Sequence, residues 1–175
     1  ISGMYLSIFE ATGDNPRPPQ SDQVAFLGSH DTPTFVGWIE GRDIEERVRS
    51  NLLPADEAPA EQEARQEAVG RLVSMVGGSS DDIPGLLDRV LNWLGDSDSP
   101  LILPWLEDLW LEPDQVNLPG TRSSERPNWQ RPMALLLEDV VADEKVRARL
   151  AALDRHRRQS REEGEGNRRQ SREDG

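Results

Sequence analysis

Three short apolar runs constrain this chain more than any other feature. "MYLSIF" (4–9), "QVAFLG" (23–28) and "PLILPWL" (100–106) are bounded by Gly, Pro or polar residues. That pattern reads as short buried strands. Pro104 removes one ladder donor, so the third strand is expected to end there. The stretch "ATGDNPRPPQSD" between the first two runs is too Pro-rich and too poor in apolar residues for a helix. After the second run the apolar period changes to that of a helix. Ile44, Val48 and Leu52 lie four apart in residues 42–53, and Pro54 ends that segment. Ala64, Ala68, Leu72 and Val76 align in 57–76, with Gly77-Gly78 as the stop. Residues 79–95 carry Ser80 as a cap, Pro84 in the first turn, and a stripe from Ile83 through Leu86, Leu87, Val90 and Leu91 to Leu94. A last helix is expected over roughly 132–153, with Leu136, Val140, Leu150 and Leu153 on its buried side.

Strands alternating with helices predict an α/β fold built on parallel strands. A complete (β/α)8 barrel takes about 250 residues. This chain has 175, so either part of such a barrel or a smaller free-standing α/β domain is open at this point. Residues 1–153 read as the folded portion. From 154 on, "DRHRRQSREEGEGNRRQSREDG" lacks apolar residues and repeats RRQSRE at 157–162 and 168–173, which predicts a disordered, charged tail over 154–175.

Charge narrows the partners. The chain has 33 acids, 20 bases and a net charge of −13, and its folded portion holds 27 acids against 13 bases. Such a body repels phosphate backbones, so nucleic acid is not an expected partner, whereas neutral substrates suit it. No apolar run approaches the ~18 residues of a membrane span, and no signal-peptide pattern opens the chain. Ile1 stands inside an apolar segment and reads as a cut end. The chain has no Cys, which excludes disulfides and thiolate chemistry and suits a cytoplasmic setting. Its two His, at 30 and 156, do not make a metal site, and no cofactor is expected.

The chemistry-bearing stretch is "GSHDTPTFVGW" (28–38). His30 and Asp31 leave the carboxyl end of the second strand, the end where parallel α/β folds place their sites. A carboxylate accepts hydrogen bonds from two adjacent hydroxyls and an imidazole N–H donates to a third, which is the polar edge a pyranose presents. Trp38 is a candidate aromatic platform for the ring face. A strand-end cap with a buried Trp is the bland alternative. A second loop, "LEDLWLEPDQVNLPGTRSSERPNWQRPM" (106–133), follows the third strand and brings Asn117, a Pro119-Gly120-Thr121 turn, Asn128, Trp129 and Arg131. Its bland alternative is a Pro/Gly-punctuated surface loop.

Taken in order, "GSHDTPTFVGW" and "EDLWLEPDQVNLPGTRSSERPNW" resemble the carboxyl-terminal part of the 4-α-glucanotransferases (glycoside hydrolase family 77), over about residues 1–150. The family's pattern reads THD-N/T-x-T-x-x-GW, then QD-x-L, N-x-PGT and NW-x-x-R. Ser29 replaces Thr, and Glu107 stands where Gln is frequent. The resemblance implies the carboxyl-terminal part of a (β/α)8 barrel of the α-amylase clan. It also implies transfer of α-1,4-glucan segments between maltooligosaccharides by a retaining double displacement on two carboxylates. Carried over, Asp31 grips the 2- and 3-hydroxyls of the sugar being cleaved and stabilises the transition state. His30, Trp38, Asn117 and Trp129 are the implied substrate-binding residues. The family's nucleophile and acid/base lie in earlier motifs that this sequence does not contain, so the chain by itself is expected to be inactive and to need the amino-terminal part of a barrel. Two further readings stay open: a non-catalytic glucan-binding module, and a hydrolase of the α-amylase clan.

Overall fold

The computed structural model describes residues 3–6, 10, 12–13 and 16–173. Three parallel strands form one sheet in the order β1-β2-β3, with β1 Gly3–Leu6, β2 Gln23–Phe26 and β3 Leu101–Leu103. Residues 7–9 of the first expected strand lie outside the described residues. β3 does end just before Pro104. The register aligns Tyr5 with Ala25 and Ile102, and Met4 with Val24 and Leu101. Tyr5 and Ala25 are fully buried beneath helices. The opposite face is uneven: Val24 is buried on the middle strand, but Met4 is 74% exposed, Leu101 45% and Leu103 40%. Parallel sheets are normally covered on both faces, so this face has the composition of an interior without its cover.

Between β2 and β3 run α1 Phe35–Glu40, α2 Arg42–Arg49, α3 Ala58–Val76 and α4 Ile83–Gly95. α1 occupies part of what the sequence presents as a site loop. The Thr34 side chain accepts from the Gly37 N–H (3.1 Å) and so starts the helix. Gly41, at φ 73°, ends it and opens α2. α2 stops at Arg49 instead of running to 53, because Asn51 turns left-handed (φ 55°) and the Leu52 and Leu53 N–H groups fold back to the Arg47 carbonyl. α3 has the expected bounds, but Val69 and Leu72 are its buried residues while Ala64 is exposed. α4 is capped by Asp82, whose carboxylate accepts from the Gly85 N–H, and not by Ser80. Its Leu86, Leu87, Val90, Leu91 and Leu94 pack with Tyr5, Leu27, Phe35 and Trp38 as the core.

After β3 come a 3₁₀ turn, Leu106–Trp110, and two helices, α5 Leu137–Ala142 and α6 Glu144–Glu173. The single helix expected over 132–153 is divided at Asp143. Its backbone is extended there, and its carboxylate accepts from the Lys145 and Val146 N–H groups, which makes it the start signal of α6. Val140 and Leu153 are buried as expected, whereas Leu136 (70%) and Leu150 (42%) are exposed. Where a disordered tail is expected from residue 154, α6 is helical as far as Glu173, and residues 174–175 lie outside the described residues. Arg and Glu favour helix, and Asp154 pairs with Arg158 one turn on. The segment is also anchored. His156 Nδ1 lies 2.7 Å from Asp96 Oδ1, Arg157 and Arg161 both donate to the Pro100 carbonyl, and Ser160 donates to that of Asp96. No helix among the described residues is long and apolar enough to cross a membrane.

Candidate functional site

The site begins where β2 ends. The Ser29 N–H donates to Thr32 Oγ1 (2.9 Å), and the Thr32 hydroxyl donates back to the Ser29 carbonyl (3.0 Å). The Asp31 N–H donates to Ser29 Oγ (3.2 Å). This closed turn projects the side chains of His30 and Asp31 outwards, each about half exposed, with His30 Nε2 3.2 Å from Asp31 Oδ2. Ser29 in place of the family's Thr thus serves the turn through its own hydroxyl.

The second loop meets the first at Asp31. Asn117 Nδ2 donates to Asp31 Oδ1 at 2.7 Å, across 86 residues of sequence. A carboxylate oxygen carries two lone pairs, so Asp31 retains acceptor capacity for a ligand hydroxyl. Trp129 is 60% exposed and held at φ 61°, with its ring centroid 5.2 Å from that of His30. Trp105, just past β3, has its ring centroid 6.3 Å from that of His30. Two half-exposed polar groups flanked by indole rings form an amphipathic surface suited to a sugar, whose ring has an apolar face and a hydroxylated edge.

The remaining polar residues of the loop build it. Arg126 donates to the carbonyls of Gln115 and Val116 and to Asn128 Oδ1, and pairs with Glu46. Asn128 Oδ1 also accepts from the Leu118 N–H, and its Nδ2 donates to Thr121. Gly120 (φ 89°) makes the turn between them. Arg131 pairs with Glu107 (2.9 Å) and Glu112 (3.3 Å) and donates to the Asp114 carbonyl. Glu107, where the family commonly has Gln, is therefore a structural partner of Arg131. A charged cleft of about 270 Å³ runs between α2 and residues 113–116 and contains neither His30 nor Asp31. Its Asp43, Glu46 and Arg126 are committed to internal ion pairs.

Of the five candidate site residues, the structure brings His30, Asp31, Asn117 and Trp129 together. Trp38 is corrected: it is only 4% exposed, with the Arg65 guanidinium 5.0 Å above its ring, and cannot present a face to a ligand. Thr34 starts a helix that turns the indole into the core. The preceding Gly37 has a packing reason, since a Cβ there would lie 2.7 Å from the Pro113 carbonyl oxygen. Sequence reasoning missed Trp105, which leaves a strand's carboxyl end just as His30 does. It also missed Asp108, which stands in the family's QD-x-L motif but was given no role. Asp108 is fully buried; its Oδ1 accepts from the Phe35 N–H at 2.6 Å and its Oδ2 has no partner. Burial pushes this carboxyl up to about 7, with the Phe35 N–H opposing and the neighbouring Glu107 charge adding to the rise.

Residues 1–137 match the family model of the 4-alpha-glucanotransferases, glycoside hydrolase family 77. The fold is similar to the crystal structure of amylomaltase from Corynebacterium glutamicum, with a TM-score of 0.63 and 23% identity. That alignment covers 86% of this chain and 25% of the amylomaltase chain.

Proposed function

This chain belongs to the 4-alpha-glucanotransferase family, and from that membership we propose that it is the sugar-gripping part of an enzyme passing α-1,4-glucan segments between maltooligosaccharides. The observation that carries the proposal is the hydrogen bond from Asn117 to Asp31, which joins the two family motifs beside His30 and Trp129. In this reading Asp31 accepts from adjacent hydroxyls of the glucose unit being cleaved and favours its distorted, oxocarbenium-like form. His30 hydrogen-bonds the same unit, Asn117 holds the Asp31 carboxylate in orientation, and the Trp129 ring stacks on a sugar face.

The retaining double displacement needs a nucleophile and an acid/base about 5 Å apart. Glu107 and Glu112 are held by Arg131 and Asp108 is buried, so none of these three suits either part. Both groups are assigned to the remaining, amino-terminal part of a barrel of which residues 1–153 are the carboxyl-terminal portion. The uncovered apolar face of the sheet supports this, because further strands closing a barrel would cover Met4, Leu101 and Leu103. A chain without cysteine fits a cytoplasmic setting.

Incubation with maltotriose, followed by chromatography of the products, tests the division of labour. The chain alone is expected to yield no glucose and no longer oligosaccharides. With Asp31→Asn in the longer enzyme, turnover is expected to fall by about 10²–10³-fold with the fold intact. Disproportionation by this chain alone, or near-normal turnover of the variant, contradicts the assignment.

A further inference from the structure

The seam between the two site loops is held from inside the protein. Asp31 lies four residues before Phe35, and Asn117 lies nine residues after Asp108. The bond from the Phe35 N–H to Asp108 Oδ1 therefore ties the two loops together at their roots. Around it the backbones are pressed close, because Gly37 leaves room for the Pro113 carbonyl. Arg131 secures the far side through Glu107, Glu112 and the Asp114 carbonyl. Helix α6 adds an outer fastening: Arg149, itself buried, donates to the carbonyl of Leu109, next in sequence to Asp108, and pairs with Asp88 on α4.

We propose that Asp108 is a positioning residue, whose carboxyl group sets the separation of the two loops and so allows Asn117 to reach Asp31. The geometry explains why a carboxyl group stands fully buried with one oxygen unpartnered, an arrangement that costs stability unless the other oxygen does something an apolar residue cannot. An apolar residue of similar size would fill the space but leave the Phe35 N–H without its acceptor. The loop roots would then drift apart, and the outer fastenings by Arg131 and Arg149 do not bridge Phe35 to the second loop, so the bond from Asn117 to Asp31 would weaken. The consequence for sugar binding rests on the glucan reading above; the loop geometry does not.

Both parts are tested by NMR on the chain as it stands, with Asp108→Asn, Asp108→Ala and Asp108→Ser. Asn keeps an oxygen in place for the Phe35 N–H, while Ala and Ser withdraw it. In the Ala and Ser variants the Phe35 amide and the Asn117 side-chain amide signals are expected to move upfield towards unbonded positions, and Asp108→Asn is expected to keep both near wild type. Maltotriose affinity is expected to fall about tenfold in Ala and Ser and to be retained in Asn. An unchanged Asn117 signal in Ala or Ser, with only the melting temperature lowered, overturns the proposal. So does failure of both to fold while Asn folds, which would make Asp108 a stability residue. If the Asn117 signal moves as expected but the wild type binds no maltotriose, the positioning role stands and the glucan reading fails.

Discussion

Asp108 titrates in a range where its effect on stability can be read directly. Its folded-state pKa is raised to about 7 from the ordinary 3.8, so the folded chain holds this proton more tightly than the unfolded one. That contribution is fully present below the unfolded value and is lost as pH rises through the folded one. Asp108→Asn keeps the acceptor for Phe35 and carries no titrating proton. The unfolding free energy of the variant relative to wild type is expected to rise from about pH 4 to about pH 8, by at most roughly 4 kcal/mol at about 1.4 kcal/mol per unit. Urea denaturation across that range measures it, and a flat difference contradicts the assignment. Asp31, in contrast, is exposed and Asn117 partly so, and their exposed bond adds little to stability. The two acids of this region thus divide between burial and access.

Glycines separate packing from mere tolerance among the helices. Gly95 ends α4 where α6 crosses it, and a Cβ there would lie 2.7 Å from His156 Cβ and 3.3 Å from Leu153. Gly70 sits on the exposed side of α3 with nothing within 4 Å. Gly95→Ala is expected to cost about 1–3 kcal/mol, and Gly70→Ala to add about 0.5–1 kcal/mol. Thermal melts of the two variants decide, and equal effects would mean that α6 does not press on α4 as described. α4 was legible in the sequence because its apolar stripe keeps helical spacing, and α3 because Gly77-Gly78 mark its stop, although its buried residues are Val69 and Leu72. The break at Asp143 was not, since one acid inside a helical pattern looks the same whether it caps or points to solvent. Trp38 was misread for a related reason: α1 has six residues, too few for a period to show, so the indole appeared to belong to a loop.

At the scale of the whole molecule, the parallel sheet and the meeting of two distant motifs were both readable. The order of short runs and helical segments implied the first. The second followed from the family pattern, because no local rule places Asn117 beside a carboxylate 86 residues away. The family motif around Asp108 did not reveal its partner Phe35, and Arg149 lies in no motif, since both contacts depend on which elements pack together. The chain aligns with a quarter of an amylomaltase, and its sheet leaves an apolar face uncovered, yet the polar cluster is already assembled within it. Sugar binding by the chain on its own is the most direct consequence. Titration of the labelled chain with maltotriose, followed by NMR, is expected to perturb His30, Asp31, Asn117 and Trp129 together in a saturable way, and Asp31→Ala is expected to abolish the response while the rest of the spectrum stays folded. Perturbations scattered elsewhere, or a response unchanged by Asp31→Ala, would contradict the account.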